Sequence, residues 1–415
     1  MKRRLAFIVI PFLILLIALA GGFDLLWRFF VFLVAALLLS YLWAHLSIRG
    51  VYGQAEKSVS LCQVGKSFDE DFTVANRGRI PMPILKVREA TDLPGYRNEI
   101  NISLGSHGTH RWRRRVYCRR RGRYRIGALN FRTTDPLGFF AAERRIERNQ
   151  EIIVYPATLE LPLFQLSPQP EAGTSSRRWL ATAAGPNASR VREYVSGDSL
   201  RHIHWHSTAH TGNLMVKEFD PDRARDTTLR EIWIVLDMHR HPQLGEGDET
   251  TEEYGVTIAA SLAKKYLDDG KWVGLIAEGD TSCLIPPDAG EAHLQDILRS
   301  LTLLKATGDT PIDRLLAASA ERFEAGAAVI IIMPSVNPAI AASLGLIRSR
   351  QAKTVAILLD SFSFGGATSP ANNARSLGAA GCNIYTVRQG MEIGPSLDSR
   401  RLSSQTVYTG GRVQP

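Results

Sequence analysis

The sequence predicts a multi-domain protein: an N-terminal transmembrane helical hairpin, an all-β immunoglobulin-like sandwich, and then a doubly wound α/β domain. Three observations carry that prediction. Two apolar runs open the chain, a series of short strand patterns between turn signals follows, and from Glu231 onward continuous apolar strands alternate with amphipathic helical stretches. A length of 415 residues accommodates an anchor and two or three compact domains, and 45% hydrophobic against 22% charged residues is globular material.

The anchor is assigned to residues 1–48. Residues 5–20 are apolar and free of charge, residues 21–28 bring a Gly pair, Asp24 and Arg28, and residues 29–44 are apolar again. Leu25 to Trp27 extend the second run toward the ~20 residues that cross a bilayer core. Met1 to Arg4 followed by an apolar run also fits a cleaved signal peptide, but the second run directly after it favours a two-helix hairpin. Lys2, Arg3 and Arg4 favour a cytoplasmic N-terminus. Two crossings then return the chain to that side, so the expectation is a multi-pass protein of the cell (inner) membrane with cytoplasmic soluble domains.

The sandwich is assigned to residues 51–160. Strand patterns are read at 58–64, 68–75, 84–89, 100–104, 111–118, 122–131 and 152–155, separated by turn signals such as Asn76-Arg77-Gly78 and Asp135-Pro136-Leu137-Gly138. Residues 111–125 contain nine arginines and no acid, and without those nine the remaining basic residues would balance the 41 acidic ones. The net charge of +9 is therefore one local patch, centred on Arg113, Arg114, Arg115, Arg119, Arg120 and Arg121, and not a globally basic surface. Strand alternation points Trp112, Val116 and Cys118 inward and leaves arginines solvated. An anionic membrane surface or an acidic partner is the favoured match for the patch, with nucleic acid disfavoured.

Residues 161–190, rich in Pro, Ser, Ala and Gly, read as a surface linker. Residues 191–220 pack charges of both signs among aromatics around a Gly197-Asp198 turn signal. Residues 229–395 form the α/β domain. Five apolar strands are read at 232–236, 272–277, 328–333, 355–359 and 384–387, with helices at 251–267, around Leu294 to Leu304, and at 311–325. Such strands between amphipathic helices mean a parallel sheet covered on both faces. Residues 396–415 are left as a tail.

The pattern R-E-Y-x-x-G-D-x-x-R-x-I-H-W-x-x-x-A from Arg192, followed by L-x-V-K-E-F from Leu214, resembles the signature of the domain of unknown function 58 family. Residues 121–140 and the IIVYP at 152–156 resemble that family too. The likeness implies a membrane-anchored bacterial protein ending in a von Willebrand factor A-like domain, an ordering of elements that the sequence also displays. It further implies a neighbourhood of MoxR-type AAA+ ATPases, but no reaction.

Domains of that A-type usually bind a divalent cation through D-x-S-x-S, a later Thr and a further Asp, because Mg²⁺ demands oxygen ligands. Here the run is Asp237-Met238-His239-Arg240-His241, Thr310 fits the threonine position, and Met333-Pro334-Ser335 stands where the last Asp belongs. Only Asp237 and Thr310 remain, so a degenerate site without metal is expected, a softer metal on Asp237, His239 and His241 being the alternative. In the signature, His202, His204 and His206 alternate and would share one face of a strand, which suggests a metal-dependent hydrolase as the alternative function. Ser207 and Thr208 lie near His204 without a G-x-S-x-G elbow. The preferred reading is an ion-pair and hydrogen-bond lattice: Arg192 and Arg201 pairing with Glu193, Asp198 or Glu218, joined by Tyr194, Gly197, His204 and Lys217, over an apolar floor of Trp205. No catalytic residue or cofactor is assigned. No P-loop occurs, and the four cysteines lie far apart without C-x-x-C spacing, which suits a reducing compartment. The expected function is a non-enzymatic, membrane-anchored adaptor or assembly protein docking a MoxR-type AAA+ ATPase.

Overall fold

Twenty-six residues without a proline or glycine form one helix, α1 (Asp24–Arg49). Over Trp27–Arg49 it is long and apolar enough to cross a membrane, about 34 Å at 1.5 Å per residue. The computed structural model describes residues 24–57, 61–148, 150–166, 190–195, 203–218, 231–367, 377–378 and 382–399. The first of the two expected spans falls outside the described residues, so the helix seen is the second. The chain divides into two compact units, Met1–Tyr155 and Pro156–Pro415.

In the first unit, α1 passes through Gly50 directly into strand β1 (Val51–Lys57). Then follow β2 (Leu61–Gln63), β3 (Ser67–Asn76), β4 (Met82–Thr91), β5 (Glu99–Leu104), β6 (Thr109–Tyr117), β7 (Gly122–Thr134), β8 (Ala141–Ile146) and β9 (Gln150–Tyr155). One sheet has the order β1-β3-β6; the other runs β2-β9-β7-β4-β5, with β8 on the second half of β7. Alternation builds the core: Phe72 and Val74 of β3, Met82, Leu85 and Val87 of β4, and Leu129 and Phe131 of β7 bury together, joined by Ala44 and Ile48 from the last turns of α1. The Arg144 guanidinium donates to the carbonyls of Arg49 (2.6 Å) and Val51 (3.0 Å), satisfying oxygen that a helix end leaves without an amide partner.

Two strands here had no sequence reading. In β1 the inward positions are Val51, Gly53 and Ala55, too small to announce a core face. In β8 only Ala142 is buried. Of the strand read at 58–64, Leu61–Gln63 form the short β2, and residues 58–60 lie outside the described residues. The smallness in β1 has a cause: a Cβ on Gly53 would lie 2.4 Å from Cζ of Phe131, itself buried. Gly53→Val is expected to destabilise this unit by about 1–3 kcal/mol through overpacking. Denaturant midpoints of the full chain in detergent check it, and an unchanged midpoint would refute it.

The second unit begins with a packed segment. Leu161, Phe164 and Leu166, read from sequence as the start of a surface linker, are buried. Phe164 meets the rings of Tyr266 and Tyr385, and the Tyr385 hydroxyl donates to the Gln165 carbonyl at 2.6 Å. A small element follows, β10 (Arg190–Glu193), α2 (Trp205–Thr211) and β11 (Met215–Glu218), with β10 and β11 antiparallel.

The α/β part comprises β12 (Glu231–Leu236), the short ladder β13 (Gly245–Glu246) and β14 (Glu249–Thr250), α3 (Thr251–Asp268), β15 (Trp272–Glu278), β16 (Ser282–Asp288), α4 (Glu291–Leu303), α5 (Ile312–Ser319), β17 (Ala328–Met333), α6 (Ile340–Ser349), β18 (Lys353–Leu359), β19 (Asn383–Val387) and α7 (Ile393–Ser396). Thr250 caps α3, its hydroxyl accepting the Glu253 amide, in a T-x-x-E start. The sheet order is β16-β15-β12-β17-β18-β19, all neighbours parallel except β16, which is antiparallel to β15. The expected five strands are thus six. Val235, Ile331 and Leu358 face α5 and α6, and Leu236, Ile332 and Leu359 face Gly255 of α3. The sheet is covered on both sides, as its continuous apolar strands require. The start of the expected tail also packs, with Leu397 buried and the Ser399 amide donating to the Leu163 carbonyl.

Candidate functional site at the carboxyl edge of the parallel sheet

Strand β12 is first in the α/β part and central in its sheet, with β15 on one side and β17 on the other. That is the topological switch point, where open α/β sheets place ligands beyond the strand ends. Asp237 stands at the end of β12, Glu278 ends β15, Met333 ends β17, and Asp360 follows β18.

Each carboxylate there is engaged by the protein itself. Asp237 is almost completely buried, and its Oδ1 accepts the His239 amide at 3.0 Å. Burial outweighs that bond and pushes its carboxyl up to about 7. Thr310 donates its hydroxyl to Glu278 Oε1 at 2.8 Å. Asp360, also buried, accepts from Nε of Arg388 at 3.1 Å. Sequence reasoning singled out Asp237 and Thr310 but missed Glu278, Asp360 and Arg388, for which no motif existed.

The loop after β12 is tied to the segment before α5. Gly308 donates its amide to the Met238 carbonyl (3.1 Å), the Arg240 amide donates to Gly308 O (3.0 Å), and Arg240 pairs with Asp309. His239 and His241 lie edge-to-face with ring centroids 5.2 Å apart. Partial burial, helped by His241, holds the His239 imidazole below its ordinary range, so it favours the neutral form. The rim is therefore two imidazoles and a guanidinium around a buried carboxyl. Among the described residues no three His, Cys, Asp or Glu side chains converge to hold a metal ion.

The signature segment is arranged differently from its sequence reading. His204 and His206 do not alternate along a strand, because α2 begins at Trp205. His204 is its N-cap: Nδ1 accepts the Ser207 amide at 3.2 Å and lies 2.7 Å from Ser207 Oγ. That contact serves the helix start, satisfying an amide that the first turn leaves open. Trp205, expected as an apolar floor, is 68% exposed. Arg192 donates to the Glu193 carbonyl (3.0 Å), and the Glu193 carboxylate accepts from Asn213 at 3.4 Å. Tyr194 donates its amide to Leu214 O. Arg190 lies opposite Glu218 and Val191 opposite Lys217 in the β10–β11 ladder. Gly197, Asp198, Arg201 and His202 lie outside the described residues.

In the first unit the arginine strip is answered in part across strands. Arg113 forms a bidentate pair with Asp71 (2.7 and 3.1 Å) and Arg115 pairs with Asp69 (3.2 Å), both acids on β3. Asp71 is held below, and Arg113 above, its ordinary range by their mutual bond. Arg123 pairs with Glu151, and Arg121 is buried. Arg114, Arg119 and Arg120 complete the strip, Arg114 exposed and opposite Glu70 in the register. The patch expected to leave arginines solvated thus has acidic partners at two of its positions and a core residue at a third.

Between the sheets lies an acidic pair with no sequence signal. Glu70 and Glu89 are both buried, and the Tyr96 hydroxyl (3.1 Å) and Asn98 amide (3.3 Å) donate to Glu89. As carboxylates neither can donate to the other, which leaves both Glu70 oxygens without a donor. Burial first, then the neighbouring Glu89 charge and the bond to it, push Glu70 up to about 8, so it is the proton donor of the pair near neutrality.

Residues 190–360 match the family described as "Protein of unknown function DUF58". The uncharacterized protein YeaD of Bacillus subtilis is 25% identical over 194 residues, 47% of this chain and 46% of that one. The uncharacterized protein Rv1480 of Mycobacterium tuberculosis is 30% identical over 128 residues, 30% of this chain and 38% of that one. The chain thus spans less than half the length of these relatives. Among solved structures, the CARDB domain of a Pyrococcus furiosus protein, in complex with di-metal ions, is similar over 25% of this chain and 91% of its own (21% identity, TM-score 0.20). Proximal thread matrix protein 1 from the mussel byssus is similar over 42% of this chain and 46% of its own (12% identity, TM-score 0.30). The chain is homologous to the bacterial proteins, and its residues 190–360 are a domain of the DUF58 family.

Proposed function

We propose that this chain is a non-enzymatic, membrane-anchored adaptor whose cytoplasmic domains dock a partner, a MoxR-type AAA+ ATPase. The observation that carries the reading is the engagement of the carboxylates at the sheet's carboxyl edge. The order of elements supports a von Willebrand factor A-like domain, following an immunoglobulin-like sandwich. In such a domain the crevice beside β12 would hold Mg²⁺, but the donor set here does not fit it. A hard cation needs several oxygen ligands, whereas imidazoles occupy both serine positions and the Thr310 hydroxyl is bonded to Glu278. What remains is a surface with a fixed rim of His239, Arg240 and His241, suited to an acidic protein face. With no P-loop in the sequence, nucleotide hydrolysis would belong to the partner. α1 supplies the anchor, and a multi-pass anchor with cytoplasmic domains is part of the same reading.

Cross-linking in intact membranes, followed by affinity purification of the full chain, tests it. A AAA+ ATPase should be recovered. The double substitution Arg240→Glu and His241→Glu should lower that recovery about ten-fold, since like charges at a docking face disfavour association. Failure to recover any such ATPase would count against the adaptor. Stoichiometric zinc or manganese lost on His204→Ala would favour a metal-dependent hydrolase instead.

A further inference from the structure

The turn joining β7 to β8, residues 135–140, is built with unusual care for a surface loop. Asp135 is buried and accepts the Leu137 amide (3.1 Å), the Phe140 amide (2.6 Å) and the hydroxyl of Ser40 from α1. Its own amide donates to Phe140 O (3.1 Å), and the Gly138 amide donates to Asp135 O (3.0 Å). Gly138 takes a positive φ of 73°, which a side chain would resist. The amides of Asp135, Leu137, Gly138 and Phe140 are therefore bonded within the turn, which lowers the cost of bringing its tip against an apolar medium. Yet the tip presents Leu137, 60% exposed, and Phe139, 38% exposed.

The tip lies beside α1. Phe140 packs edge-to-face on Tyr41, centroids 5.7 Å apart, and Ser40 bonds Asp135. From Ser40 on, the helix is increasingly covered: Ser40, Ala44, Ser47 and Ile48 are buried. Measured from Asp24, the acid that follows the Gly21-Gly22 pair in the sequence, the stretch to Leu39 rises only about 24 Å, roughly 6 Å short of a ~30 Å hydrocarbon core. The missing depth falls at the level of the hairpin tip, where Leu38, Leu39, Tyr41 and Leu42 of the helix are exposed too. About 13 Å further along the helix, Arg49 and Arg144 form a cationic collar at headgroup height.

We propose that the β7–β8 hairpin tip is a lipid-inserting wedge, burying Leu137 and Phe139 in the bilayer edge beside α1. This rests on the membrane-anchored reading above and adds to it a fixed depth for the sandwich. The test places the photoreactive residue benzoylphenylalanine at position 137, at Phe32 in α1, or at Tyr117, which is 61% exposed. Tyr117 lies near the start of β7, at the end of the 13-residue strand remote from the tip. Each full-length protein is reconstituted in vesicles of phosphatidylethanolamine and phosphatidylglycerol, irradiated, and analysed for lipid adducts by mass spectrometry. Positions 32 and 137 should form lipid adducts about ten-fold more than position 117, as expected for partition into acyl chains. Labelling at 32 with position 137 no better than 117, or protein adducts only at 137, would overturn the wedge and leave the anchor standing. No lipid adducts at 32 would overturn the anchor and the wedge together, and equal labelling at all three would overturn the wedge.

Discussion

Raising the pH from about 5 to about 9 is expected to weaken the first unit, and Glu70→Gln to abolish most of that loss. The folded Glu70 carboxyl is pushed up to about 8, mainly because it is buried and secondly because Glu89 faces it. In the unfolded chain it returns to about 4.5. A carboxyl raised in this way favours the folded state's protonated form. Its contribution is fully favourable below about pH 4.5 and is lost progressively until pH passes about 8. A shift of that size corresponds to several kcal/mol, on the order of 5, spread over that window. Glutamine at position 70 keeps the shape, carries no charge, and can donate to Glu89 as the protonated acid does. Thermal unfolding of the full chain in detergent across this pH range checks the prediction. The wild-type transition assigned to this unit should fall more steeply with pH than the variant's, which keeps only the slope of Glu89, itself raised by burial, and equal slopes would refute the assignment.

Gly308→Ala is expected to be among the most damaging small substitutions in the second unit. A Cβ there would lie 2.2 Å from the carbonyl oxygen of Glu278 and 3.1 Å from that of Met238. Both obstacles are backbone at the ends of core strands, so no rotamer change relieves them. The loop must lift, and its bonds to Met238 and Arg240 then go with it. The cost is on the order of 3 kcal/mol, a fall in Tm of roughly 6–12 °C. Gly345→Ala in α6 has open space around its new methyl and should be neutral or mildly stabilising. Differential scanning calorimetry of both variants decides, and a Gly308→Ala protein melting with the wild type would show that the loop is free to adapt.

The long apolar strands of the α/β part were legible because burial on both faces leaves no polar residue to confuse them. Ile232 to Leu236 and Ala328 to Met333 are buried throughout. Strand β16 was not legible because it carries Pro286 and Pro287, which read as non-strand. They are tolerated because β16 is the antiparallel edge, with its register broken near Val273 and Leu275. The site was only half visible. Asp237 and Thr310 stand in recognisable order, but the partners that engage the neighbouring acids lie far away in sequence. The same distance hid the burial of Phe164, whose aromatic neighbours come a hundred and more residues later. The alternating histidines misled because histidine is an uncommon helix cap, so a 2-residue period was read where a helix begins.

One glycine separates α1 from β1, and Arg144 grips the carbonyls on either side of it. The sandwich is consequently no bead on a string. A tilt or rotation of α1 would swing the sandwich as a lever, undamped by slack, and a load on the sandwich would be felt by the helix in return.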